Sequence, residues 1–281
     1  MGLHFGAHVS IRGGFLEAAK LASHIGGTAF QYFPKNPRSL TVKKLDRRDA
    51  EACAAYCREH GMLSIAHTPY PTNLAVDAGD RREVVVRSLL NDLEIAEACG
   101  SVGVVVHFGV YKGAEPLNGY KNIVSTLNEV LSRWDGSALL LVENQSGEHA
   151  RMGMTFEELV GIRNLCVKPE SVGFCLDTCH AFASGLWNGA DWDVVRAKGE
   201  SLGYFRLLKA IHLNDSVYPH KSYKDRHANI GKGEIGENAF RSFLASMKAA
   251  PIPAILETPA GPAYTHEQEI AHLHRLTEGK R

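Results

Sequence analysis

The sequence predicts one α/β domain with the (β/α)8, or TIM, barrel fold over residues 1–281. Short β-branched and aliphatic runs alternate with helical patterns along the whole chain. The runs lack the apolar and polar alternation of half-exposed strands, which is typical of parallel strands covered on both faces. No Pro-, Gly- or Ser-rich linker divides the chain, and a hydrophobic content of 44% is ample for one core.

Eight strands are expected in chain order, with helices between them. The strands are predicted at residues 3–9, 28–33, 63–67, 102–107, 138–143, 172–177, 209–213 and 253–257. Apolar residues recur at three-to-four spacing in RREVVVRSLLNDLEIAEACG, NIVSTLNEVLSRW, TFEELVGIRNLC and ENAFRSFLASMKAA. Gly100 is expected to end the first of these helices.

Six of the apolar runs end on a residue that can bind a metal. These residues recur roughly 35 to 45 positions apart, the period of a strand, a helix and two loops. They are His67, His107, Glu143, Asp177, His212 and Glu257. An open doubly wound sheet is the alternative architecture, but its strands lie about 4.8 Å apart and its outer strand ends could not reach a common centre. The pattern therefore favours a closed barrel, in which the active site lies at the C-terminal ends of the strands.

Composition and charge limit the classes of function. The start MGLHFGAHVS has no basic segment before an apolar one, and no apolar run approaches about 18 residues, so we expect a cytoplasmic protein. The chain has 31 basic and 31 acidic residues, so a polyanion would have to be met by a local patch. The six cysteines lie in apolar stretches without CxxC knuckles and are expected to be reduced and buried.

Two further segments extend the set of candidate ligands. In CLDTCH, a helical turn after the strand would bring His180 to the same side as Asp177, three residues earlier. In DRHANIGKGEIG, an extended loop would point Asp225 and His227 the same way, although solvent exposure is the ordinary role of such a loop. The complete set is His67, His107, Glu143, Asp177, His180, His212, Asp225, His227 and Glu257.

Nine nitrogen and oxygen donors are too many for one ion. A lone strand-end histidine is more often a hydrogen-bonded core or loop residue, but a carboxylate directly after LLLV or AIL needs a cation or several donors. Because zinc takes about four ligands, the set predicts two or three ions that share a bridging carboxylate. The five histidines favour zinc over magnesium, with manganese or iron as substitutes. Such clusters serve phosphoester hydrolysis, which is the leading prediction.

His8 in GAHVS also ends a predicted strand. It is expected either to bind a metal or to form a hydrogen bond in support of the ligands.

Several motifs together resemble those of the endonuclease IV family of zinc-dependent apurinic/apyrimidinic endonucleases. Besides the His67 and His107 strand ends, they are GAHVSIRGG, ENQSG, CLDTCHAFASG, HLNDS, DRHANIGKGEIG and LETP, and they extend from Gly6 to Pro259. CLDTCHAF and DRHxNIGxGxIG are specific, whereas GAHVS alone is a weak signal. The resemblance implies a barrel with three zinc ions that cuts double-stranded DNA 5′ to an abasic site and leaves a 3′-hydroxyl. The leading hypothesis adds a 3′-phosphodiesterase or phosphatase activity on blocked ends, and we expect a monomer.

The resemblance also implies a role for each ligand. His67 and His107 would hold one zinc, His180, Asp225 and His227 would hold another, and the remaining ion would be held by Asp177, His212 and Glu257. Glu143 would bridge the ion held by His67 and His107 and the ion held by Asp177, His212 and Glu257. Glu143 and Glu257 are the expected catalytic residues, with Glu257 orienting the attacking hydroxide.

The loops expected to contact DNA match the family only in part. QYFPKNPRSL resembles the family's second DNA-reading loop and contains Arg38, but Leu40 replaces an aromatic residue. HTPYPTNLA keeps Tyr70 but has Pro71 in place of a larger aliphatic wedge, and HFGVYKG replaces His-Pro-Gly. Basic clusters that include Lys35 and Arg226 are expected to contact phosphates at the same face.

Two other functions are compatible with parts of the pattern. A sugar isomerase or epimerase on a related barrel would also use Glu143, Asp177, His212 and Glu257, but it has no need of the other five ligands. A lesion-binding barrel that retains zinc without cleaving DNA is the second alternative.

Overall fold

Eight parallel strands close into a barrel in the computed structural model, which describes residues 2–247 and 250–278. The strands are β1 His4–His8, β2 Ala29–Tyr32, β3 Leu63–His67, β4 Gly103–Val106, β5 Leu139–Glu143, β6 Val172–Asp177, β7 Leu208–His212, β8 Asp215–Ser216, β9 His227–Ala228 and β10 Pro253–Leu256. Closure follows because β1 pairs with both β2 and β10. Strands β8 and β9 form a separate antiparallel ribbon. The predicted (β/α)8 barrel is confirmed, and the open sheet is excluded.

Helices follow the strands around the outside of the barrel. They are α1 Phe15–His24, α2 Arg47–Glu59, α3 Asp80–Ala98, α4 Pro116–Arg133, α5 Phe156–Asn164, α6 Thr178–Ser184, α7 Trp192–Ser201, α8 Tyr204–Leu207, α9 Glu237–Met247 and α10 His266–Glu278, with a short 3-10 helix at Pro169–Ser171. The four helical patterns predicted from the sequence correspond to α3, α4, α5 and α9. Gly100 follows α3 with φ 68°, as a C-terminal stop requires. The residues numbered 248 and 249 in the last pattern lie outside the described part of the chain.

One apolar layer fills the barrel interior and supports the site above it. It consists of Ala29, Ile65, Val105, Leu141, Cys175, Ala210 and Ile255. Gly6 takes the eighth position, between Ala29 and Ile255, where an added Cβ would overlap the Ala29 carbonyl.

The next inward-facing layer is polar. Because strand side chains alternate between faces, a residue two positions further along each strand points into the same interior. Those residues are His8, Gln31, His67, His107, Glu143, Asp177, His212 and Glu257. The six strand-end ligands predicted from the sequence are therefore members of one ring.

A second, larger core packs the outer faces of the strands against the helices. Phe174 of β6, for example, stacks on Tyr204 with ring centroids 4.6 Å apart. All six cysteines are buried free thiols, as predicted. Among the described residues, no helix is long and apolar enough to cross a membrane.

Candidate metal centre

The nine predicted ligands meet at the C-terminal end of the barrel. Within each of three groups, one ligand atom per residue lies within 4.8 Å of the others. The groups are His67, His107 and Glu143; Glu143, Asp177, His212 and Glu257; and His180, Asp225 and His227. A fourth group joins Asp177 and His227 with the thiol of Cys179. Glu143 belongs to two groups, which is the position of a bridging carboxylate. The same partition was implied by the sequence resemblance.

The start of helix α6 places His180 beside the barrel ligands. Asp177 ends β6 and caps α6, where its Oδ1 accepts a hydrogen bond from the His180 backbone N–H at 2.7 Å. This cap satisfies an otherwise free N–H of the first turn. The helical turn predicted after this strand is confirmed, and it carries His180 into the centre.

The segment with Asp225 and His227 is more ordered than the predicted loop. His227 begins β9, which pairs with β8, and the two Asp225 oxygens lie 3.1 Å from His180 Nε2 and 3.0 Å from His227 Nε2. Buried Asp215 organises the turn that follows, because its carboxylate accepts backbone N–H groups of Ser216, Gly231, Gly233, Ile235 and Gly236. A Cβ at Gly233 would meet the Asp215 carboxylate at 2.6 Å, whereas Gly231 and Gly236 have φ of 77° and 81°, which favour glycine.

The buried carboxylates are held by several groups at once. Burial opposes the charged form of Glu143, but the positive charges of His107 and His212 outweigh it and hold its pKa well below the usual range. Burial also opposes the charged form of Glu257, but the positive charge of His212 outweighs this effect and lowers the pKa of Glu257 to about 2. Burial raises the pKa of Asp177. The centre therefore has two firmly ionised carboxylates at its core.

The residues of the centre fit a cluster of cations. Within the described chain, three buried ligand atoms have no hydrogen-bond partner, namely Glu143 Oε2, His180 Nε2 and His227 Nε2. Three histidines direct Nδ1 at a backbone carbonyl, His67 at Thr68 (2.8 Å), His180 at Asn144 (2.9 Å) and His227 at Glu257 (3.3 Å). Since a carbonyl can only accept, Nδ1 carries the proton and Nε2 is left as the ligand atom. Bare nitrogens that face carboxylates at these distances suit a metal ion.

Three amides that the sequence analysis missed support this arrangement. Asn214 donates to Asp177 Oδ2 at 2.7 Å and to Glu257 Oε2 at 3.2 Å. Asn144 exchanges two hydrogen bonds with the backbone of Asp177. Gln31 contacts Glu257 and His212. The position of Gln31, two residues after the inward-facing Ala29, was a signal in the sequence, but an amide at a strand end does not stand out as a carboxylate does.

His8 lies in the polar ring but in none of the four candidate ligand groups found among the described residues. Its Nδ1 is 3.1 Å from Gln31 Nε2, and burial lowers its pKa to about 4. Of the two roles expected for His8, the structure favours the supporting hydrogen bond.

Two adjoining cavities open onto the ligands. The smaller, of 320 Å³, lies over the centre and is lined by His8, Phe33, Glu143 and Glu257 among others. The larger, of 540 Å³, extends past Tyr70 and Pro71 towards the loop after β5. His67, Tyr70, His107, His180 and Asp225 line both. A ligand in either cavity would contact the metal centre.

Four of the five residues expected to contact DNA are exposed. Arg38 lies beside Pro37, whose carbonyl accepts the Tyr70 N–H at 2.8 Å. Tyr70 is 71% exposed, and Pro71 lies next to it at the cavity rim. The side chain of Arg226 is also exposed, 3.5 Å from a Glu148 oxygen. These positions leave all four side chains accessible to a polyanion.

The fifth residue, Lys35, does not lie where the sequence analysis expected it. Its ammonium group is buried and lies 2.6 Å from Asp92 Oδ1 and 2.7 Å from the Ser88 carbonyl. A lysine turned inward to neutralise a buried aspartate does not face DNA, so the expected contact from Lys35 is wrong.

A closed barrel with overlapping groups of His, Asp and Glu at the C-terminal ends of its strands defines a metal-dependent barrel enzyme. Residues 19–276 match the family described as xylose isomerase-like TIM barrel. The probable endonuclease 4 of Symbiobacterium thermophilum is 40% identical over 276 residues, which cover 98% of this chain and 100% of that protein. The chain belongs to the endonuclease IV family, and it is a DNA-cleaving hydrolase.

Solved structures agree with this assignment. The crystal structure of endonuclease IV from Thermus thermophilus has 34% identity and a TM-score of 0.81, covering 98% of this chain and 97% of that one. The 3-keto-D-glucoside 4-epimerase of E. coli has 16% identity and a TM-score of 0.67, covering 97% and 99% of the two chains. The second likeness shows the fold alone, so the sugar isomerase or epimerase alternative is not favoured.

Proposed function

We propose that this chain is a zinc-dependent repair endonuclease that hydrolyses the phosphodiester 5′ to an abasic site in double-stranded DNA and leaves a 3′-hydroxyl. The observation that carries the proposal is the assembly of nine ligand side chains into three neighbouring groups, two of which share Glu143. Five of the nine lie outside the four positions that sugar chemistry would also use. They are His67, His107, His180, Asp225 and His227.

Each group is proposed to hold one ion. Imidazole together with carboxylate favours zinc, and manganese or iron could replace it because they accept similar ligands. When bound, such ions supply Lewis acidity towards phosphate oxygens and an activated water. Glu143 would serve two ions, since its oxygens face His107 at 2.7 Å and His212 at 2.9 Å.

Glu257 is proposed to orient the attacking water. Its two oxygens are fixed by Gln31 at 2.6 Å and Asn214 at 3.2 Å, and its pKa of about 2 keeps it ionised at neutral pH. A fixed carboxylate accepts a hydrogen bond from the nucleophile in one direction only, which favours in-line attack.

The cavity rim is proposed to receive the DNA. Arg38 and Arg226 would pair with backbone phosphates, and the exposed Tyr70 and Pro71 would enter the duplex at the lesion. The proposal further takes the whole chain, 1–281, as one catalytic domain that works as a monomer in the cytoplasm.

Incision of a synthetic duplex with one abasic analogue tests the proposal. Protein of measured metal content is expected to cut the labelled strand 5′ to the lesion, and a DNA polymerase should extend the product from its 3′-hydroxyl. Incision should stop with chelator and return with added zinc. A metal-loaded sample that leaves the abasic duplex intact contradicts the proposal, and tight binding without cleavage would favour the lesion-binding alternative.

The metal count separates the nuclease from a sugar enzyme. Three ions per chain are expected, and His180→Ala should lower both the count and the incision rate because it removes a ligand of the third group. His24→Ala is the matched control, since His24 is exposed on α1 away from the centre. A count of one ion per wild-type chain would favour sugar chemistry.

A further inference from the structure

His212 is held differently from three other histidines of the centre. His67, His180 and His227 direct Nδ1 at a backbone carbonyl and leave Nε2 as the ligand atom. In His212, Nε2 instead lies 2.7 Å from the side-chain oxygen of Gln31. Its Nδ1 lies 2.9 Å from Glu143 Oε1 and 3.2 Å from Glu257 Oε2. His212 therefore faces the metal position with the opposite nitrogen.

The hydrogen bonds of Gln31 fix which nitrogen of His212 carries the proton. An ionised carboxylate can only accept, so the group 2.6 Å from Glu257 Oε1 is the Gln31 amide nitrogen. The Gln31 oxygen must then face His212, and because an amide oxygen can only accept, His212 Nε2 bears the hydrogen. Nδ1, on the side of Glu143 and Glu257, is then the nitrogen that would give up its hydrogen and bind when a metal ion is present.

The remaining hydrogen of the Gln31 amide is also used. It points to His8 Nδ1 at 3.1 Å, and Gln31 itself is completely buried. The amide thus makes one acceptor bond and two donor bonds with three groups of the polar ring. A fully satisfied buried network of this kind holds each of its members in one orientation.

We propose that Gln31 is a positioning residue of the metal centre. Its amide oxygen sets the tautomer of His212 so that Nδ1 is the ligand atom, and its NH₂ group holds Glu257 by a hydrogen bond. This inference rests on the proposed function, because it takes His212 and Glu257 as metal ligands. A neutral amide is suited to the position, since a carboxylate there would stand against Glu257 with like charge.

Two substitutions separate the two roles of Gln31. Gln31→Met keeps the length of the side chain and removes the acceptor and both donors. Gln31→Glu keeps an acceptor for His212 Nε2–H but replaces the donors to Glu257 by a negative charge. Gln268→Glu is the matched control, because Gln268 is exposed at the start of α10 and a glutamate there keeps the acceptor for the Thr265 N–H.

Metal retention is the first measurement, made by titrating zinc-loaded protein with a chelator. Gln31→Met is expected to release one ion per chain at a free zinc concentration about 10- to 100-fold higher than wild type, the usual effect of losing a hydrogen bond to a metal-ligating histidine. Gln31→Glu should lose affinity by a similar factor, whereas Gln268→Glu should match wild type. Wild-type retention in both Gln31 variants overturns the inference.

The second measurement is the tautomer of His212, from long-range ¹H–¹⁵N NMR spectra of zinc-loaded protein. Wild type and Gln31→Glu are expected to have one histidine with hydrogen on Nε2 and metal on Nδ1, a signature that a merely structural role would not move. In Gln31→Met that signal should weaken or split. An unchanged signal in Gln31→Met contradicts the tautomer role. If Gln31→Met does not fold, Gln31→Glu carries the retention test.

Failure of this inference differs from failure of the proposed function. Wild-type protein that holds no metal and leaves abasic DNA intact contradicts both. Wild-type protein that holds its metals and cleaves DNA, with Gln31 variants that retain zinc and the His212 tautomer unchanged, contradicts only the role of Gln31.

Discussion

Lys35 and Arg38 lie three residues apart in the loop after β2, yet they occupy opposite environments. Lys35 points inward, where burial lowers its own pKa and raises that of Asp92 to about 7. The two charges are therefore costly to bury and are tolerated because each is the partner of the other. Arg38 points to solvent. At the residue scale, position within a basic cluster does not decide which charge meets DNA.

Lys35→Met is expected to reduce stability without changing the DNA contact. Removing one member of a buried ion pair leaves the other uncompensated and costs about 3–5 kcal/mol of unfolding free energy. Urea unfolding followed by circular dichroism measures this loss, and Lys35→Met with Asp92→Leu should recover most of it. An unchanged unfolding midpoint, or a reduced salt dependence of DNA binding, would favour the discarded role in DNA contact.

Arg38→Met is expected to have the opposite profile. Loss of one phosphate contact should weaken binding to an abasic duplex and lower the slope of log K against log salt by about 1, while unfolding stays as in wild type. Arg58→Met is the control, because Arg58 is exposed in the last turn of α2, at the other end of the barrel. Equal salt slopes for the two variants would remove Arg38 from the DNA interface.

At the scale of elements, helix α10 ties two ligand-bearing segments together. Glu269, in its first turn, is completely buried and accepts from Asn229 Nδ2 at 2.9 Å and the Ile230 N–H at 2.7 Å, both just after His227. It also accepts from the Thr258 hydroxyl at 2.6 Å, next to Glu257. One carboxylate thereby sets the distance between the β9 segment and the end of β10.

Glu269→Gln is expected to loosen this link. A glutamine of the same shape has one acceptor oxygen, and its NH₂ would face N–H or O–H donors, so the cost is about 1–3 kcal/mol. The third group should release its metal more readily because Asn229 and Ile230 follow His227. Chelator titration and urea unfolding check both effects. Glu267→Gln, an exposed change in the same turn, is the control, and equal behaviour of the two variants would contradict the role of Glu269.

The sequence predicted the strands, the helices and the metal ligands better than it predicted the uncharged side chains that support those ligands. The recurrence of ligand types at the ends of apolar runs placed six of them in one ring, and a helical turn added His180 to them. Amides such as Gln31 and Asn214 carry no charge that burial would make conspicuous, and their role depends on the tautomer of a neighbour. The β8–β9 ribbon has two residues per strand, too few for a periodic signal. The burial of Lys35 depends on Asp92, which is distant in sequence and therefore not visible in a local charge pattern.

At the scale of the whole molecule, the barrel and the metal centre draw on separate sources of stability. The two apolar cores include aliphatic and aromatic residues of every barrel strand and none of the nine ligands. Burial of apolar surface of this kind contributes about 25 cal/mol per Å², and the barrel is closed by its own hydrogen bonds. The centre, by contrast, gathers like-charged carboxylates that need cations nearby.

Metal removal is therefore expected to lower the unfolding temperature without unfolding the barrel. A ligand that binds only the folded chain stabilises it by about 2.7 kcal/mol at 100 times its Kd, so chelation should shift the calorimetric midpoint downwards and stop DNA cleavage. Far-UV circular dichroism should keep its helical signal, because α1 to α10 pack on cores that contain no ligand. Chelator already saturated with zinc is the control, and re-addition of zinc should restore both midpoint and incision. Loss of the helical signal on chelation would contradict the separation of core and centre, whereas an unchanged midpoint would mean that the nine side chains compensate their charges without an ion.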